Sequence, residues 1–245
     1  MQSPIANGER RPGLPAGMNS LRCSGRSPRE QLRWMSSSGR PRRPANKNIH
    51  MKVINRKTLW EGKFLRAVLV EYLDGRPSEG SAEPDVIRDW ETIERVGSRG
   101  VVVIVPFTSD ALVVLIRQFR PAVDGYVVEL PAGLIDKGEK AEETAHRELI
   151  EETGYAAGVM DFLISGPASS GSSSEILDVF VASELSFVGI GERDESENIE
   201  VLMVPLDMLD QKISELQAAG NFVDLKVHGM IRLARDYLAK KQGKA

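Results

Sequence analysis

Between Gly133 and Tyr155 the chain reads GLIDKGEKAEETAHRELIEETGY. Glu148 and Glu152 are four residues apart, and Glu151 is three from Glu148. On a helix those spacings place the three carboxylates on one flank. Like charges on one flank repel, and two outcomes are open. The flank stays solvated as an acidic face. Or it binds a hard divalent cation, Mg2+ or Mn2+, which takes oxygen ligands and offsets the repulsion. Arg147, beside the cluster, can brace one carboxylate with a bidentate pair.

For the carboxylates to share a flank, residues 141–153 must be helical. Most are good helix formers, and Gly154 stands where a C-terminal cap is expected. Ala141, Ala145 and Leu149 form a separate small-apolar row that can pack on a sheet. Residues 101–107 and 111–118 are apolar runs separated by the turn Thr108-Ser109-Asp110, and 127–130 lead into Pro131-Ala132-Gly133. Downstream, residues 158–164, 176–182 and 199–204 have strand composition. A serine-rich loop, 166–174, and an acidic loop, 189–198, lie between them. Leu206, Leu209, Ile213 and Leu216 mark a helix by their spacing, and Val227, Met230, Ile231, Ala234 and Leu238 mark a last one. Strands and helices mix without regular alternation, which suggests an α+β or α/β sandwich of sheet between helices.

Length and composition narrow the class. The chain has 245 residues, 41% hydrophobic and 27% charged, an ordinary globular balance. No apolar run approaches a membrane span. The single cysteine, Cys23, excludes an internal disulfide framework and a cysteine-based metal site. Charge is unevenly spread. Residues 1–50 hold ten Lys+Arg and two Asp+Glu, a net +8; the other 195 hold 22 and 33, a net −11. An acidic body argues against nucleic acid as the main partner.

Residues 1–50 are rich in Arg, Pro, Ser and Gly, show no period and read as a disordered basic stretch. A transit peptide, a tail that binds a polyanion and a mis-assigned start all fit it; the last is favoured because Met51 opens a coherent strand-like segment. Residues 51–98 read as a small sheet with strands at 52–55, 64–73 and 90–96. It is too short to bury a core alone and must pack on the next domain, 99–245, or on a second subunit. Trp60 is expected in the core, and Arg117 is expected to face solvent.

The pattern around the helix has many fixed positions. Gly133 is followed after five residues by Glu139 and after seven more by Arg147-Glu148-Leu149; Glu151, Glu152, Gly154 and Tyr155 complete it. It matches the Nudix box at every defined position, so the chain resembles the Nudix hydrolases. Within that family residues 52–240 are similar to the ADP-ribose and ADP-sugar pyrophosphatases. The similarity is carried by RQFRPAVDGYVVELPAGLIDKGE at 117–139, TLWEGKF at 58–64 and WETIER at 90–95.

The resemblance implies the Nudix fold, an α/β/α sandwich of the α+β class, with a small N-terminal β-sheet domain used for dimerisation and base binding. It implies a cytoplasmic homodimer with no membrane or nucleic-acid partner, hydrolysing the diphosphate of a nucleoside diphosphate sugar with Mg2+, or with Mn2+. ADP-ribose would give AMP and ribose 5-phosphate. GDP-mannose or another nucleotide sugar is the alternative substrate, and a non-catalytic nucleotide-sugar sensor the alternative class. Glu148, Glu151, Glu152 and the carbonyl of Ala132 would hold the metal, with Glu151 also counted among the catalytic carboxylates. The base would be Glu195 or Glu197 of the acidic loop. Phe64 and Trp90 would stack the adenine, one from each subunit. Glu91 and Arg95 would reach the base or the partner chain, Arg120 a phosphate, and Leu134 the substrate. One departure stands out: the branch often carries Ser-Pro-Gly downstream of the box, where this chain has Ser169-Ser170-Gly171.

Overall fold

The structure is a computed structural model and describes residues 50–75, 86–189, 191 and 198–243. Strands β1 (His50–Glu61), β2 (Leu65–Gly75) and β3 (Val86–Arg95) form an antiparallel sheet in that order. After it come β4 (Val101–Pro106), β5 (Leu112–Arg120), β6 (Gly125–Glu129), β7 (Ala132–Leu134) and helix α1 (Ala141–Thr153). Then follow β8 (Tyr155–Pro167), β9 (Ile176–Phe187), β10 (Ile199–Pro205), α2 (Leu209–Ala218), β11 (Phe222–Val223) and α3 (Lys226–Lys241). The body has two four-stranded sheets, ordered β7-β4-β9-β8 and β10-β5-β6-β11.

Strand β4 shows how the layers form. Its six residues, VVVIVP, are all buried. A strand covered on both faces carries a continuous apolar run rather than an alternation. Val101, Val103 and Val105 join Val113, Leu115 and Val128 of the other sheet, together with Ile213 of α2 and Ile231 of α3. Val102 and Ile104 point the other way, onto Ala145 and Leu149 of α1, with Phe180 and Ala182 of β9 beside them. The sheet is therefore packed between α1 on one side and the second sheet with α2 and α3 on the other. The small-apolar row of residues 141, 145 and 149 is the face that α1 turns to β4.

The turn after β4 hands the chain from one sheet to the next. Although β4 and β5 are neighbours in sequence, only the isolated bridge Phe107–Val113 joins them. Ala111 makes this turn with φ at 58°. Strand β5 lies centrally in its own sheet, between β10 and β6.

The N-terminal sheet departs from two expectations. Strand β1 runs past the expected end at Asn55 to Glu61; register shifts at Val53/Asn55 and Thr58/Trp60 interrupt the period-two pattern by which a strand is read. Trp60 is not core: it is 61% exposed. It lies just past the second of those shifts on an edge strand, and its indole rests over Gly62, where a Cβ would meet the ring at 2.4 Å. The free edge of β3 is met by the serine-rich loop. Ile93 N–H donates to the Ser172 carbonyl at 2.9 Å, and Ser174 N–H donates back to Ile93 at 3.2 Å. The Trp90 indole N–H donates to the Gly171 carbonyl at 3.1 Å. A loop laid along an edge satisfies backbone groups that would otherwise invite another strand. Among the described residues no helix is long and apolar enough to cross a membrane.

Candidate active site

Helix α1 is fixed at both ends. Glu142 and Glu143 stand in its first turn, where carboxylates oppose the helix dipole favourably. The Glu143 carboxylate accepts the Lys140 backbone N–H at 3.3 Å. At the other end Gly154 adopts φ 79° and its N–H closes on the Ile150 carbonyl at 2.9 Å. That left-handed turn carries the chain straight into β8.

With Ala145 and Leu149 buried against β4, the flank carrying Glu148, Glu151 and Glu152 faces strand β7. Glu152 is 4% exposed, and its carboxylate accepts the Ala132 N–H at 2.9 Å. Glu148 lies directly against Gly133. A Cβ placed on Gly133 would sit 1.8 Å from Glu148 Cδ. The glycine is therefore the cradle in which this carboxylate rests.

Arg147 does more than brace one carboxylate. Its Nε and Nη2 grip Glu139 at 3.1 Å each, and its Nη1 donates to both Glu148 and Glu151 at 2.8 Å. The reason is reach: Glu139 precedes the helix by two residues, and Glu151 is one turn further along. This guanidinium holds the Glu139 carboxyl down to about 2. Glu139 in turn pushes Arg147 above its ordinary value, helped by Glu148 and Glu151. One positive charge thus serves three carboxylates.

A depressed carboxyl contributes stability that is present above its unfolded pKa and lost as pH falls toward the folded one. Glu139→Gln is therefore expected to cost about 1 kcal/mol at neutral pH, discounted for partial exposure. The wild-type advantage should shrink between pH 4.5 and about 2, since below that range both side chains are neutral. Urea unfolding at several pH values checks this; a difference constant with pH would contradict it.

The donor set fits a hard divalent cation. Glu148, Glu151, Glu152 and the backbone at Ala132 offer only oxygen ligands within one helix turn of each other and of β7. The Gly133 cradle keeps one carboxylate beside the strand that carries the Ala132 carbonyl. Among the described residues, no three acidic, histidine or cysteine side chains already converge on a single point. Arg147 and the Ala132 N–H hold the glutamates instead.

The remaining expected residues are distributed over three elements. Leu134 ends β7, partly exposed, and its carbonyl accepts Arg147 Nη2 at 3.4 Å. Phe64, Trp90, Glu91 and Arg95 belong to the N-terminal sheet. Phe64 is 64% exposed and Trp90 51%. Arg95 pairs with Glu175, the residue that follows the serine-rich loop. Arg120, at the end of β5, is held by Glu129. Arg117 does not simply face solvent. It donates to Asn221 at 2.6 Å and to Glu200 at 2.8 Å, with its guanidinium 4.0 Å from the Tyr126 ring centroid. Its position in a central strand explains this, because side chains from both neighbours reach it.

Glu195 and Glu197 lie outside the described residues. The residues flanking them are placed beside the helix and β5. Gly191 packs so closely on Glu151 that a Cβ there would lie 3.3 Å from Glu151 Cα. Ile199 pairs with Gln118 of β5. Sequence reasoning gave no role to Glu129, Glu175 or Gly191; their contacts are made across a hairpin or between separate elements, which no local pattern records.

A glycine-cradled glutamate helix on the outer face of a mixed sheet, with a second sheet packed behind that sheet, is the arrangement of a Nudix domain. The model of the NUDIX domain matches residues 97–225, just over half of the chain, and the chain belongs to that family. Over 164 residues it is 34% identical to the ADP-ribose pyrophosphatase of Bacillus subtilis, covering 66% of this chain and 82% of that protein. Over 130 residues it is 36% identical to the GDP-mannose pyrophosphatase of Citrobacter koseri, covering 50% and 67%. A crystal structure of an ADP compounds hydrolase superposes with a TM-score of 0.61 at 25% identity, covering 80% of this chain and 97% of that one.

Proposed function

We propose that this Nudix hydrolase cleaves the diphosphate bond of a nucleoside diphosphate sugar, with ADP-ribose as the substrate and AMP and ribose 5-phosphate as products. The observation that carries the reading is the set of Glu148, Glu151 and Glu152 held against Ala132 and Gly133. It is supported by similarity to an ADP-ribose pyrophosphatase over most of that protein's length.

Glu148, Glu151, Glu152 and the Ala132 carbonyl would hold Mg2+, which supplies charge neutralisation for the diphosphate oxygens. Mn2+ would serve in the same donor set. Glu195 or Glu197 accepts the proton of the attacking water, and the described residues on either side of that loop pack on Glu151 and Gln118. Arg120 binds a phosphate oxygen and Leu134 lines the substrate. Phe64 and Trp90 stack the base, with Glu91 and Arg95 at its edge or against the partner chain. The exposed apolar residues of the N-terminal sheet, among them Met51, Ile54, Phe64, Ile87 and Trp90, favour a homodimer in which this sheet is covered. The protein works in the cytoplasm.

GDP-mannose is the second reading. The Citrobacter koseri relative favours it, and stacking tolerates guanine as well as adenine. A side-by-side assay of ADP-ribose, GDP-mannose and other nucleotide sugars with Mg2+ tests the proposal. The highest kcat/KM is expected for ADP-ribose, and failure to cleave any nucleotide sugar would overturn the reading.

The stacking role makes its own prediction. Phe64→Ala should raise KM roughly tenfold or more, since base stacking contributes about 1–3 kcal/mol. The fold of the chain, read by circular dichroism, should be unchanged, because within one chain the ring is largely exposed. An unchanged KM would remove Phe64 from the base site.

A further inference from the structure

We propose that Glu129 is the positioning residue for Arg120, the side chain assigned above to a substrate phosphate. The inference rests on that reading of function. Both Nε and Nη2 of Arg120 contact Glu129 Oε2 at 2.8 Å. The same oxygen accepts the buried Gln118 amide at 3.1 Å. Arg120 is paired in the sheet with Gly125, and Glu129 with Ile116. The guanidinium therefore folds back along the hairpin, over Gln118, to reach its partner.

Three features set this pair apart from an ordinary surface ion pair. Glu129 is only 15% exposed on its side chain, whereas Arg120 is 45% exposed. The anchor is thus recessed while the arm it holds stays open. The contacts engage Nε and one terminal nitrogen, and the other terminal nitrogen remains available for an oxyanion. A long side chain fixed in advance loses less freedom on binding than a free one. Finally, Glu129 stands three residues before Ala132, the backbone that meets Glu152. Strand β6 therefore sets the phosphate arm and the glutamate helix in one frame. The Glu129 charge opposes anion binding, so its presence beside Arg120 helps only through geometry.

The test is a double-mutant cycle on the full chain. Binding of ADP-ribose is read by calorimetry in EDTA, and kcat/KM is read with Mg2+. Arg120→Ala and Glu129→Ala are each expected to raise Kd about tenfold. The double variant should match Arg120→Ala alone, because Glu129 acts only through that arginine. Glu129→Gln keeps the side-chain shape and the acceptor toward Gln118 and Arg120. It should recover most of the affinity and guards against a folding defect in the alanine variant. Multiplying effects in the double variant, or wild-type affinity in Glu129→Ala, would overturn the inference. If the wild-type chain neither binds nor cleaves any nucleotide sugar, the functional reading itself fails.

Discussion

Glu152→Gln is expected to lose at least about a thousandfold in kcat, equivalent to about 4 kcal/mol of transition-state stabilisation. The change is small in shape. A glutamine oxygen can still accept the Ala132 N–H that Glu152 accepts at 2.9 Å. What is lost is one negative charge in a nearly dry position, since Glu152 is 4% exposed. Charges act strongly where water is excluded, so a divalent ion loses most of its attraction there. Stability should move the other way or stay level, because like charges on α1 are reduced. A melting experiment separates loss of metal binding from a change in the fold. Anything that binds only the folded state raises its stability, by about 2.7 kcal/mol at a hundredfold excess over Kd. Mg2+ should therefore raise the melting temperature of the wild-type chain and leave that of Glu152→Gln nearly unchanged. A variant that keeps normal turnover, or the full Mg2+ response, would remove Glu152 from the metal site.

The part of this site that could be read from sequence is the part built within one helix. Rows at three- and four-residue spacing assigned Ala145 and Leu149 to a row that packs on the sheet, and Glu148, Glu151 and Glu152 to one shared flank beside it. Gly154 marked the end of α1 because a left-handed cap is a local demand. Contacts made across strands were not legible. Arg117 meets Glu200 and Asn221, and Arg120 meets Glu129, only because β5 pairs with both β10 and β6 in a particular register. Trp60 looked like core on its chemistry. Its exposure follows from a bulge and an edge position that no local pattern records. The serine-rich loop seemed a departure at Ser170, yet its backbone has a structural task on the edge of β3. The backbone carbonyls of Gly171 and Ser172 make those contacts, which is why serine side chains said little about it.

Replacing Gly133 by alanine is expected to lower kcat about a hundredfold while costing no more than about 1 kcal/mol of stability, since the clash falls on a flexible side chain rather than on backbone. The added methyl would fall 1.8 Å from Glu148 Cδ and 1.9 Å from Oε1. Nothing can stand that close, so one group must move. The backbone of β7 is tied to β4 through the Gly133–Val102 pairing. The Glu148 carboxylate, at the end of a flexible side chain, is the part that yields. It can turn further onto Arg147, which it already meets at 2.8 Å. Folding then proceeds at little cost, but the carboxylate has left the position beside Ala132. A displacement of about an ångström at a reacting centre is enough to cost about a hundredfold. Combining the change with Glu148→Gln distinguishes displacement from general damage. If Gly133→Ala acts by moving Glu148, it should add little once that charge is already gone. A double variant much worse than Glu148→Gln alone would show that Gly133 is needed for something other than making room for this glutamate.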